Sequence, residues 1–328
     1  MIRRFLSKTN LENSEKTNNL NNKELNNNLN NNEKKELLDE INDLKEIHIY
    51  DIVLDNEYSI IYEMNKNKNS SIYLLKCKIS KEFRVLKVYK KQKKEATKYL
   101  SEELHLKLNH PNIIRIYDMM ETKNYILILM EYLDDDLFEI IQRYYETNEY
   151  LSECRISKYI EQIVFGLKYC KDKFGIMHRD IKAENILLDI DDNIKIIDFE
   201  YATNEKNSID ICGTIEYMAP ELIKPIDYLI GYDYKIDVWS LGILTYELLY
   251  NILPFQISKK EIKKKEMLKT LDDYIYIVNF TELKFPEIRK ISNKAKDFLQ
   301  QLLKMNPKER LTYEEILKHP FIIEQCEE

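Results

Sequence analysis

The chain has 328 residues, 44% of them hydrophobic and 33% charged, with a net charge of −7 at pH 7. That length accommodates two modest domains, the composition is that of a globular protein, and the acidic balance argues against nucleic acid as a partner. Five cysteines (Cys77, Cys154, Cys170, Cys212, Cys326) show no C-x-x-C and no paired spacing. They predict free thiols in a reducing setting, cytoplasmic or nuclear, rather than a disulfide or zinc framework. No apolar run approaches the length of a membrane span. Met1-Ile2-Arg3-Arg4-Phe5-Leu6 is too short for a secretory signal, and Ile2 stands where N-myristoylation requires glycine.

Residues 10–32 are dominated by asparagine, including Asn26-Asn27-Asn28 and Asn30-Asn31-Asn32. Such a low-complexity tract buries too little apolar surface to offset ordering entropy, so residues 1–47 are expected to form a largely disordered extension. Leu37, Leu38, Ile41 and Leu44 recur at helical spacing and predict a helix over 33–46. Strands are predicted at 60–62, 71–77, 83–89 and 125–130, with one helix over 91–108. Beyond Leu133 helical patterns dominate, at 137–145, 152–171, 238–250, 292–303 and 312–317. A strand-rich first third and a helix-rich remainder predict a two-lobed α+β fold, with lobes at 48–132 and 133–324.

Four polar groups of fixed type stand between apolar runs near the middle of the chain: Asp180, Lys182, Asn185 and Asp198. The set suits phosphoryl transfer. One carboxylate accepts a hydroxyl proton, an ammonium steadies the γ-phosphate, and an amide with a second carboxylate binds Mg²⁺. Flanking Ile/Leu strands would hold those groups rigidly.

The strings His178-Arg179-Asp180-Ile181-Lys182-Ala183-Glu184-Asn185 and Asp198-Phe199-Glu200 resemble the catalytic loop and metal-binding motif of eukaryotic protein kinases. The resemblance runs from about residue 50 to about residue 323 and implies a bilobal kinase fold acting on ATP with Mg²⁺. It implies Asp180 as the base, Lys182 on the γ-phosphate, and Asn185 with Asp198 on the metal. Lys87 would hold the α/β-phosphates, paired with Glu102 or, as runner-up, Glu103; choosing Glu102 puts Leu106 on the inward face of that helix. Met130, Glu131 and Leu133 resemble the gatekeeper and hinge, with Val85 and Ile61 above adenine and Leu187 below. Cys212-Gly213-Thr214 through Ala219-Pro220-Glu221 resembles the end of an activation segment, and Lys182 with Thr214 implies Ser/Thr specificity. Glu221 is expected to pair with Arg310.

Asp210 stands where Aurora-like and cyclic-nucleotide-dependent kinases carry an activating phosphothreonine, facing Arg179; Ser208 and Thr203 are alternative phosphosites. The subgroup stays open between Aurora-like and calmodulin-kinase-like. Asp136, Glu184 and Glu247 match acidic positions that read arginine in basic protein substrates. The resemblance also leaves room for an activating protein.

Two departures cut the other way. The loop that begins at Val53 has Leu54, Asn56 and Ser59 where the family has glycine, and Glu200 replaces the glycine after Asp198-Phe199. Two functions follow: a Ser/Thr protein kinase, or a pseudokinase acting as a scaffold or allosteric partner. Retention of Lys87, Asp180, Lys182, Asn185 and Asp198 favours the enzyme, because a scaffold has no physical need for all five.

Overall fold

A computed structural model of the chain describes residues 57–66, 70–91, 105–122, 124–205, 208–223, 231–255 and 267–324. The Asn-rich extension, the helix expected at 33–46, Val53, Glu102, Glu103 and Cys326 lie outside the described residues. The fold is α+β and divides into two units. The first takes residues up to Lys91 with Tyr117–Tyr132, the second residues 92–116 and 133–328.

The first unit is a five-stranded sheet in the order β1-β2-β3-β5-β4, from β1 (Tyr58–Lys66), β2 (Ser70–Cys77), β3 (Phe83–Lys90), β4 (Ile116–Glu121) and β5 (Tyr125–Glu131). The pairs β1/β2, β2/β3 and β3/β5 are antiparallel. Side chains alternate across a strand, so Leu75, Leu86, Val88, Leu127 and Leu129 fall on one face and build its core with Tyr125. Val85 and Lys87 fall on the other, opposite Met130 and Ile128 respectively. β4 was not expected. It is an edge strand of mixed polarity, Ile116-Tyr117-Asp118-Met119-Met120-Glu121, and lacks the apolar alternation that marks a half-buried strand.

The second unit is built on α4 (Lys235–Tyr250), buried along its whole length, as expected of a helix apolar on all sides. Around it lie α1 (Leu137–Thr147), α2 (Glu153–Phe174), α3 (Pro220–Ile223), α5 (Met267–Phe280), α6 (Asn293–Leu302), α7 (Tyr313–Ile316) and α8 (Pro320–Ile323). A small sheet, β6 (Asp135–Asp136), β7 (Ile186–Leu188) and β8 (Ile194–Ile196), carries the polar cluster at its ends. The helix boundaries follow local chemistry. The Ser152 hydroxyl accepts the Arg155 amide at the start of α2, and Gly175 closes it at φ +68°. α5 was missed because its Tyr274-Ile275-Tyr276-Ile277-Val278 run is β-branched and aromatic, a strand composition.

Glu221 and Arg310 form the expected buried pair, a two-pronged contact at 2.6 and 2.8 Å. Cys77, Cys170 and Cys212 are free thiols, whereas Cys154 is disulfide-bonded. This corrects the expectation of five free thiols, since a bridge depends on closeness in space, which spacing in sequence does not reveal. No helix among the described residues is long and apolar enough to cross a membrane.

Candidate functional site

The polar cluster starts from a turn that α4 holds from within. Asp237, fully buried on the first turn of α4, accepts the His178 amide at 2.9 Å and the Arg179 amide at 2.8 Å. Burial pushes its carboxyl pKa up, and those two N–H donors with the nearby cations oppose the shift. Arg179 sits at φ +69° and Asp198 at φ +62°, both in the left-handed region. Each conformation costs about 1–2 kcal/mol for an L-residue and persists because the surroundings over-determine it.

Asp180 follows directly and gathers three of the expected residues. Its carboxylate accepts the Thr214 amide and hydroxyl, each at 2.9 Å, and the Asn185 amide group at 3.0 Å. The Lys182 ammonium lies 3.2 Å from it and donates to the Thr214 hydroxyl at 2.8 Å. The Asn185 amide group also donates to the Asp180 carbonyl at 2.8 Å. Both protons of the Asn185 amide group are committed in this way, so only its oxygen is left to take a further partner.

Gly213 makes the approach of Thr214 possible. It has φ +95°, and a Cβ there would fall 2.5 Å from the Arg179 carbonyl oxygen. No side chain fits that gap.

Asp198 is tied to the same loop through its neighbours. The Ile197 amide donates to the Asn185 carbonyl at 2.9 Å, and the Ile197 carbonyl lies 3.0 Å from His178 Nε2. Phe199 is buried between His178 and His105, with ring centroids 4.7 and 4.3 Å away. His105 is buried and Leu106 exposed. The inward position of that helix is therefore 105, not 106, which corrects the expected phase. Glu200 has an ordinary negative φ in a 3₁₀ turn over Phe199–Tyr201, so glycine is not needed there. Its carboxylate accepts a hydrogen bond from the Tyr201 hydroxyl, whose pKa is raised mainly by burial.

In the first unit Lys87 shares a face with Val85 and Met130, and its ammonium lies 4.7 Å from the centre of the Tyr89 ring. Glu131 ends β5 opposite Arg84. Ile61 is the extra residue of a bulge, since Ile60 pairs with Leu75 and Tyr62 with Leu74. Ser59, at the third expected glycine position, lies in β1 opposite Lys76. In the second unit Leu133 is half-buried, and so is Leu187, between the buried Ile186 and Leu188 of β7.

Of the three acidic residues expected to read arginine, Glu184 lies within electrostatic reach of the other two. Glu184 raises the pKa of both Glu247 and Asp136, although burial is the larger cause for each. Glu247 is pushed up to about 7, while a hydrogen bond from the Tyr217 hydroxyl opposes the rise. Asp136 also caps α1, accepting the Glu139 amide at 2.7 Å.

Arg179 Nη1 lies 4.0 Å from Asp210, whose side chain is 73% exposed. The other two phosphosite candidates, Ser208 and Thr203, are buried, which removes the accessibility that modification requires. Cys212 is half-buried with its thiol pKa pushed up to about 11, chiefly by burial, so it is not a reactive thiolate. Sequence reasoning missed Tyr217, Tyr232 and His105, since no local signal marks an aromatic or histidine whose partners are distant in sequence.

The protein kinase domain family matches residues 58–322. Over 279 residues the chain is 30% identical to the serine/threonine-protein kinase Aurora-2 of Arabidopsis thaliana, covering 83% of this chain and 92% of that protein. It is 32% identical to Aurora-1 of the same plant over 279 residues, 83% of this chain and 88% of the relative. It is 36% identical to the Aurora kinase of Encephalitozoon cuniculi over 224 residues, 67% of this chain and 75% of the relative.

Proposed function

From the premise that the chain belongs to the protein kinase domain family, we propose that it transfers the γ-phosphate of Mg-ATP to Ser/Thr hydroxyls of basic protein substrates, with Asp180 as the base. The chain is a serine/threonine protein kinase acting on proteins, and the scaffold reading finds no support among its relatives. The observation that carries the assignment of Asp180 is its convergence with Lys182, Asn185 and Thr214.

Asp180 would orient the substrate hydroxyl and accept its proton, while Lys182, held beside it, would neutralise the moving phosphoryl group. Asn185 and Asp198 fit Mg²⁺ because both offer hard oxygen donors and the Asn185 nitrogen is engaged elsewhere. The metal, when bound, would offset charge on the phosphate oxygens. In the first unit, Lys87 would hold the α/β-phosphates. Val85 and Ile61 would cover adenine on one side, and Met130 with the Glu131 backbone would meet its polar edge. In the second unit, Leu133 and Leu187 keep the roles the resemblance implies for them. Val53 and Glu102 keep the roles the resemblance implies for them, as part of the same proposal.

Asp136, Glu184 and Glu247 would take a substrate guanidinium, supported by the closeness of Glu184 to each of the other two. Asp210 would supply a standing negative charge for Arg179. At 4.0 Å, with the Asp210 side chain 73% exposed although that of Arg179 is buried, the contact is a weak ion pair. An activating protein and a cytoplasmic or nuclear setting complete the proposal.

Phosphate transfer from Mg-ATP to an arginine-containing Ser/Thr peptide tests the assignment. Asp180→Asn is expected to lower kcat by about a thousandfold or more while leaving ATP binding intact. Equal rates for Asp180→Asn and wild type would remove Asp180 from the mechanism.

A further inference from the structure

Arg179 reaches its neighbours through neutral groups. Its Nε donates to the Tyr201 carbonyl at 2.5 Å, and its Nη1 donates to the Ser208 hydroxyl at 2.9 Å and the Tyr232 hydroxyl at 2.8 Å. Tyr232 is the shared point. Its hydroxyl donates to the Asp210 carbonyl at 2.7 Å and lies 3.1 Å from Ser208 Oγ. A phenol has one proton and two lone pairs. The proton goes to Asp210, one lone pair accepts Arg179, and the other accepts Ser208, so the group is saturated. The Tyr232 amide also donates to the Ser208 carbonyl at 3.3 Å. Tyr232 and Ser208 are both buried, at 4% and 3% exposure, where a fully satisfied network is worth most and a broken one costs most.

The network has a direct line to the chemistry. Arg179 is adjacent to Asp180, and its amide is fixed by Asp237. Residues 208–210 are fixed by Tyr232, and four residues on Thr214 closes onto the Asp180 carboxylate. The stretch from 208 to 214 is thus fastened at both ends to the same two-residue turn. The hydrogen bonds of the nearer fastening go to residue 210 through its backbone carbonyl, beside the looser 4.0 Å approach of the Asp210 carboxylate to Arg179.

We propose that Tyr232 is a positioning residue for phosphate transfer, its hydroxyl holding residues 208–214 in register with Asp180 through Arg179 and Ser208, without a phosphate. This rests on the catalytic reading of Asp180 and goes beyond the charge assigned to Asp210. Loss of the carboxylate in Asp210→Asn leaves the carbonyl that Tyr232 uses.

The test is peptide phosphorylation by the full chain after phosphatase treatment, with Asp180→Asn alongside to show that the measured rate is the catalysed one. Tyr232→Phe keeps the ring and removes the hydroxyl. It is expected to lower kcat about tenfold with the KM for ATP within about twofold of wild type. Amides of residues 208–214 should exchange about tenfold faster, while those of α2 and α4 keep their protection. Ser208→Ala should lower kcat about threefold, and the double variant should be no slower than Tyr232→Phe within about twofold, as expected for groups in one network.

Wild-type kcat in Tyr232→Phe overturns the proposal, and so does loss of wild-type activity on phosphatase treatment. Should Tyr232→Phe fail to fold, Ser208→Ala decides: slower turnover with unchanged ATP KM upholds the hub, and wild-type turnover sinks it. A drop in Asp210→Asn comparable to that in Tyr232→Phe would assign the work to the carboxylate instead.

Discussion

At the scale of single residues, the chemistry depends on which backbone positions demand glycine and which do not. Gly213 does, with φ +95° and the Arg179 carbonyl oxygen 2.5 Å from where a Cβ would stand. Glu200 does not, since its φ is negative within a 3₁₀ turn and its carboxylate is occupied by Tyr201. Glu200→Gly is therefore expected to leave kcat within about twofold of wild type and to lower stability by about 0.5–1 kcal/mol, glycine's entropic penalty. Urea denaturation and the peptide assay check both values, and a large gain in kcat would mean that the carboxylate represses the enzyme. Asp180, Lys182, Asn185 and Asp198 were legible in sequence because phosphoryl transfer requires those group types at short, fixed spacing. Tyr232 was not legible, since its partners Arg179, Ser208 and Asp210 lie between 22 and 53 positions away along the chain.

At the scale of elements, legibility followed apolar periodicity. The strands β2 and β3 and the helices α1, α2 and α6 carry two- or 3.6-residue patterns, β5 and α4 are continuous apolar runs of strand and helix length, and all fell where expected. β4 and α5 did not, one an edge strand of mixed polarity and the other a helix of strand-like composition. The exposed Leu106 shows a further limit, because a one-residue gap in an alignment rotates a helix by about 100° and carries a residue off the face expected of it.

α4 also carries the pH-sensitive group. Glu247 rises from 4.5 to about 7 on folding, mainly through burial. Between those two values the unfolded chain has lost the proton and the folded one keeps it, so stability falls as pH rises from about 4.5 to about 7 and is flat above. Glu247→Gln should reduce that slope by the share Glu247 contributes, in denaturation measured across pH 4.5–8. The same ionisation bears on substrate. The KM for an arginine peptide should fall as pH rises through about 7 in wild type and stay level in Glu247→Gln, while a peptide lacking arginine shows neither trend. Parallel pH profiles for the two peptides would remove Glu247 from recognition.

At the scale of the whole molecule, the two units have separate cores. That of the first is Leu75, Leu86, Val88, Tyr125, Leu127 and Leu129. That of the second extends through α1, α2, α4 and α6 and is far larger. Unequal cores predict unequal resistance to denaturant, so a single two-state transition is not expected. The protein's single tryptophan, Trp239, is fully buried in α4, with the Arg310 guanidinium 4.9 Å from its ring, and so reports on the second unit alone. Arg310 is itself buried and is neutralised by Glu221 at 2.6 Å. Glu221→Gln would leave that guanidinium buried without a counter-charge, a change that costs about 3–5 kcal/mol. The tryptophan transition should therefore move to lower urea by that amount, while exchange protection of the β2 and β3 amides in the first unit stays as in wild type. Equal losses in both units would mean that they unfold as one. An unmoved tryptophan transition would mean that the backbone carbonyls of Lys235, Lys304 and Met305, which also accept from Arg310, suffice to hold the charge.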